Sequence, residues 1–95
     1  MAVRAKFKVQ RIEATHHSRP KPGPDGKPNY QDTELVEMRT VVLSPVYGNG
    51  DPNHENTKFW NASPSGEIKL GTINPDAWAA FELGAEMYVT FEPAE

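Results

Sequence analysis

Apolar and polar residues alternate in four stretches of the chain, the period of a half-buried strand. In the first, Ala5, Phe7 and Val9 face one way, and Lys6, Lys8 and Gln10 face the other. Ile12 and Ala14 then fall on the opposite parity, which predicts a bulge near Arg11 or a second half that serves another face. The second stretch runs from Leu35 to Val46. Val36, Met38, Thr40 and Val42 share one of its faces, and Leu35, Glu37, Arg39, Val41 and Leu43 the other. The run Val41-Val42-Leu43 breaks the alternation and predicts burial on both sides. Ile68, Leu70 and Thr72 form the third pattern, and Met87, Val89 and Phe91, closed by Pro93, the last.

Between the last two strands the chain signals a helix. Asn74 is an N-cap residue, Pro75 is pre-set for the first helical position, and Asp76 suits the positive end of the helix dipole. Ala77, Trp78 and Phe81 supply a short apolar face, with Trp78 and Phe81 expected in the core, and Gly84 marks a C-terminal stop. Lys58-Phe59-Trp60-Asn61-Ala62 reads as one more short strand. Ser63-Pro64-Ser65-Gly66 is a tight connection, so Thr57 to Ile73 is expected to be a hairpin. Two long loops remain, at 16–32 and 47–56. The first contains Pro20-Lys21-Pro22-Gly23-Pro24-Asp25-Gly26-Lys27-Pro28, too rich in proline and glycine for a ladder or a helix unless it is the tip of a long hairpin. A loop of that length is usually functional or mobile. The expected architecture is mainly β: a small antiparallel barrel or sandwich of about five strands, with one short helix before the last strand plugging one end.

Composition narrows the class. Ninety-five residues make a single domain, 1–95, and the hydrophobic fraction of 37% allows one modest core. Nine prolines and seven glycines favour short strands over long helices. The absence of cysteine removes disulfides and thiolate metal sites. The first eight residues lack the apolar centre of a signal peptide, and no apolar run approaches the roughly 18 residues of a membrane span. A soluble intracellular product with no membrane partner is the expectation. A net charge of −3 gives the whole protein no pull toward nucleic acid.

Candidate chemistry is sparse. His16, His17 and His54 flank two loops beside Asp51 and Glu55. Adjacent histidines on a strand face opposite ways, however, and no ligand spacing is present, so exposed loop histidines are the plain reading and no metal is expected. Asp51-Pro52-Asn53-His54-Glu55-Asn56 lacks the frame of a calcium loop and reads as Asx turns. No nucleophile elbow, carboxylate pair or phosphate loop appears, so neither an enzyme nor a cofactor is expected. The aromatic residues are more informative. Phe59 and Trp60 are adjacent, so on a strand one points outward. Beside Lys6, Lys8, Arg39 and Lys58 it offers either a base-stacking platform or a protein contact.

Five segments also carry a resemblance. They are Ala5-Lys6-Phe7-Lys8-Val9, Val42-Leu43-Ser44-Pro45-Val46-Tyr47-Gly48, Glu55-Asn56-Thr57-Lys58-Phe59-Trp60, Ser63-Pro64-Ser65-Gly66, and Phe81 through Ala94. Together they resemble a group of small proteins of tailed bacteriophages to which no chemistry is assigned. The resemblance covers most of the chain outside the proline-rich loop, where Lys21–Lys27 looks like a longer insertion. It implies an origin and no site residues: a small non-enzymatic phage protein made in the host bacterial cytoplasm and retained in the virion.

The leading expectation is a capsid decoration or cement protein that acts by protein–protein contacts through Tyr47, His54, Phe59, Trp60 and the Pro20–Pro28 loop. The alternatives are an oligonucleotide-binding-type barrel for single-stranded nucleic acid or a small nucleotide, using Trp60 with Lys6, Lys8 and Arg39, and an inhibitor of a host protein. Oligomeric state is open: the edge Glu86–Phe91 could pair with a second copy to give a homo-oligomer, which its flanking glutamates and proline discourage.

Overall fold

A bulge early in the first strand reconciles the two halves of its apolar pattern. In the computed structural model, which describes residues 3–49 and 51–95, β1 (Val3–Pro22) pairs antiparallel with β2 (Pro28–Pro45). Their register shifts between Val9 and Arg11, leaving Gln10 as the extra residue. The shift keeps Ile12 on the same face as Phe7 and Val9, which resolves the change of parity. β3 (Ile68–Thr72) pairs with β2, and β4 (Glu86–Phe91) with β1, giving one antiparallel sheet in the order β3-β2-β1-β4.

The protein is thus mainly β, but the described residues form four strands in an unclosed sheet rather than five in a barrel or sandwich. The missing strand is the one expected at Lys58–Ala62, where α1 (Glu55–Trp60) stands instead. His54 caps that helix, its ring Nδ1 accepting from the Asn56 N–H at 3.1 Å, and Glu55 occupies the first turn. Asn61 ends it in the left-handed conformation (φ 54°). Thr57 to Ile73 is accordingly no hairpin, since β3 pairs with β2. A second short helix, α2 (Pro75–Trp78), starts at Asn74 as expected, the side chain accepting from Asp76 N–H at 3.0 Å. It stops at Ala79, well before Gly84, whose positive φ of 87° serves a later turn.

One sheet face holds the core. Ala5, Phe7, Val9, Val41 and Leu43 are buried there, flanked by Ile12, Trp60, Ile68, Phe81, Met87 and Val89. Val42 is only 1% exposed on the opposite face, so the unbroken Val41-Val42-Leu43 run is buried on both sides. Trp78 lies at the margin, half-buried under the Arg39 guanidinium at 4.7 Å, rather than within the core.

The stretch 16–32 departs most from expectation. It is mostly ladder: β1 runs to Pro22, β2 begins at Pro28 rather than Leu35, and the loop shrinks to 23–27. Within it Lys27 N–H donates to Asp25 Oδ1 at 3.0 Å, and Gly26 adopts φ 79°, the turn that Pro24-Asp25-Gly26 signals. Prolines are tolerated because this ribbon has only two strands. Each has one free edge, where a missing N–H costs no ladder bond, and the register slips between Pro20 and Lys21. The second loop is shorter than expected as well, because its last residues, Glu55 and Asn56, belong to α1; Gly50 lies outside the described residues.

Candidate docking surfaces

The outer part of the β1–β2 ribbon is an arm. β3 pairs with β2 only over Arg39–Leu43, and β4 with β1 only over Val3–Lys8. The eight residues Thr15–Pro22 and their partners on β2 therefore project about 25 Å with no strand on either side. The radius of gyration, 17.9 Å, exceeds the ~12 Å of a compact chain of this length, and the long axis reaches 57 Å. Every residue from Glu13 to Arg19 is exposed, as are Tyr30 at 78% and Leu35 at 70%. Cross-strand pairs Arg19–Glu34 (2.9 Å) and Lys21–Asp32 (3.7 Å) balance four of the arm's charges, although exposed pairs contribute no more than ~1 kcal/mol each.

At the opposite end of the ladder α1 closes the sheet through one side chain. Asn56 is fully buried. Its Oδ1 accepts from Lys6 N–H, and its Nδ2 donates to the carbonyls of Lys6 and Val46, each at 2.7 Å. The carboxamide takes the place of a peptide group between β1 and the end of β2, where a Lys6-to-Val46 bond would otherwise form. Gly48 allows this closure: a Cβ there would lie 2.5 Å from Thr57 Oγ1.

The contact residues expected from the sequence do not form one surface. Trp60 packs on Phe7 on the core face (centroids 6.1 Å apart), its Nε1 donating to Ser65 O at 2.8 Å. Phe59 packs at a tilt against Trp60 (centroids 4.6 Å apart) and stays 42% exposed. Tyr47 is exposed at 59% and lines a cavity of 210 Å³ with Gly48, Thr57 and Asn61–Pro64. His54 is the α1 cap. Lys6 and Lys8 lie on the other sheet face from Phe7, and Arg39 is engaged by Trp78, so the platform of Trp60 with three cations is not assembled. His16 and His17 are exposed on opposite faces of the arm, facing Glu37 and Val36 in the ladder. Among the described residues no cluster of three metal-ligating side chains occurs. The Asp51 loop closes as an Asx turn, Asn53 N–H donating to Asp51 Oδ1 at 2.9 Å.

Lys6 belongs to a different group. Its Nζ lies 3.5 Å from Glu55 and 3.8 Å from Glu86, while Lys6 and Arg4 sit over the Tyr88 ring at 5.4 and 4.2 Å. The Glu55 carboxyl is held below its usual value by its own main-chain N–H, then by the Tyr88 hydroxyl and Lys6, with partial burial opposing. Lys6 is raised by Tyr88 foremost, then by Glu55 and Glu86, again against burial.

A second surface has no counterpart in the sequence pattern: a cleft of 500 Å³ between the free edges of β3 and β4. Leu43, Ile68, Leu70, Phe81, Met87, Val89 and Phe91 line it. Leu70 and Phe91 remain 47% and 49% exposed, so the core is open to solvent along this side. No helix among the described residues is long and apolar enough to cross a membrane. Comparison with known proteins returns no match to any family model, curated protein or solved structure.

Proposed function

We propose that this protein is a non-enzymatic structural accessory of a tailed-bacteriophage virion, a decoration or cement protein made in the host cytoplasm. It binds neighbouring proteins through its arm. The observation that carries this reading is the bare two-stranded ribbon. Such a ribbon is marginal in water by itself, and this one exposes Tyr30 and Leu35 between two internal ion pairs, Arg19–Glu34 and Lys21–Asp32. An arm of that kind gains order by lying on another protein. A standard interface removes about 800 Å² from each partner, and the arm offers both of its exposed faces, Tyr30 and Leu35 among them, toward such a contact. The resemblance to small phage proteins supplies the setting. Quantitative mass spectrometry of purified particles of a phage encoding this chain tests it. The protein is expected at a fixed copy number relative to the major capsid protein, and its absence from particles refutes the reading.

A further inference from the structure

We infer that the β3–β4 cleft is a receptor for an extended segment of a protein partner, apolar at alternate positions and flanked by lysine or arginine, which adds as a strand to β4. This surface is independent of the arm.

Main-chain direction leaves the outer edge of β4 bare. Lys6 turns its N–H and C=O toward the β2 side, where they meet Asn56 and Val46. In an antiparallel pair such directions alternate, so Lys6 and its partner Tyr88 do not exchange bonds. The N–H and C=O of Tyr88, and by the same alternation those of Glu86 and Thr90, therefore point away from β1. Tyr88 and Thr90 line the cleft even though their side chains belong to the other sheet face, as a bare main-chain edge would. Beside that row of donors and acceptors lies an apolar floor of Leu70, Phe81, Met87, Val89 and Phe91. A small apolar ligand would leave the row unsatisfied. An extended polypeptide satisfies it and places every second side chain on the floor.

Charge decides which polypeptide. Glu86 and Glu92 flank the β4 edge and Glu67 precedes β3; Glu86 already shares Lys6 (3.8 Å) and Glu67 shares Lys69 (3.6 Å), so Glu92 carries the charge at this edge. Among the described residues Glu82, Glu92 and Glu95 have no basic partner within 4.0 Å. A second copy of this chain is disfavoured in the register centred on Val89. Antiparallel self-pairing centred on Val89 sets Glu86 opposite Glu92 twice, and directly opposed like charges destabilise a pair. A segment with basic flanks meets the same carboxylates favourably.

The test uses the whole protein labelled with ¹⁵N and a capped peptide of about seven residues, a typical strand length, with valines alternating with threonines and a lysine at each end. Binding with shifts and exchange protection centred on the amides of Glu86, Tyr88 and Thr90 is the expected result. Glu92→Lys should weaken binding about two- to fivefold. Thr90→Pro removes an outward N–H without costing a β1 bond, so it should abolish binding at unchanged Tm. No shift at millimolar peptide, an equal response to a peptide with glutamate ends, full binding by Thr90→Pro, or shifts confined to the arm would each overturn the inference. None of these results depends on whether the protein is found in virions.

Discussion

Replacing Asn56 by alanine removes the side chain that joins β1, β2 and α1. Three hydrogen bonds of 2.7 Å go at once, but they do not count equally. The Lys6 carbonyl keeps the bond it accepts from Val46 N–H at 3.0 Å. The Lys6 N–H and the Val46 carbonyl are orphaned beside a residue that is 0% exposed. Each orphaned group costs about 1–3 kcal/mol when water cannot reach it, and partial access here favours the lower half of that range. The expected loss is about 2–4 kcal/mol, out of a total of ~5–15 for a domain. Urea unfolding followed by tryptophan fluorescence measures it, with Trp60 reporting on α1, and Tm should fall by about 10–25 °C. Asn56→Asp sharpens the test. Its carboxylate can still accept from Lys6 N–H but repels the two carbonyls, so the variant should recover stability as acid protonates the side chain into a donor. A loss below ~0.5 kcal/mol for alanine, or an aspartate variant indifferent to pH, would refute the reasoning.

Other expectations rest on the same geometry. Gly48→Ala drives a Cβ to 2.5 Å from Thr57 Oγ1 and should cost about 1–3 kcal/mol in urea unfolding, with partial recovery when Thr57→Ala is added. Leu43→Ala empties a side chain that is 2% exposed and should cost about 2–5 kcal/mol by the same measurement. Leu35→Lys on the arm should change Tm little, since surface substitutions stay within ~0.5 kcal/mol, yet should lower occupancy on particles. Acid titration of stability should show Glu55. Its folded carboxyl lies below the unfolded value, so its contribution is complete above the unfolded value and is lost as pH falls through the folded one; Glu55→Gln should remove that component. Lys6 has the opposite sign. Its contribution is complete below the unfolded lysine value and lost as pH rises through the raised one, which an alkaline titration of Lys6→Met against the parent would register.

Alternation of apolar and polar residues is enough to read Ala5–Val9, Ile68–Thr72 and Glu86–Phe91 as strands, and the apolar run Val41–Leu43 as the buried centre of another, because each has one face on the core. The parity change at Arg11 locates the bulge to within a residue. Local pattern misleads at Lys58–Ala62, where two aromatics suggest a strand. The deciding group is Asn56, whose amide has partners 10 and 50 residues away, and no window contains both. Pattern misleads again at Pro20–Pro28, since proline excludes a central strand but not a ribbon whose edges are free. The cleft is illegible in the sequence because it depends on which strands become edges. That is set by β4 crossing to β1 rather than pairing with β3, its neighbour in sequence.

Under the proposed function, the bare arm is the means of attachment. Replacing residues 15–38 by a short turn leaves the buried residues Ala5, Phe7, Val9, Val41 and Leu43 in place. The shortened chain is expected to unfold cooperatively and to retain Trp60 fluorescence. The decisive measurement is the copy number of full-length and shortened protein on particles assembled in cells that supply both. The account predicts full-length protein at fixed stoichiometry and shortened protein near zero. Equal incorporation of the two would contradict it.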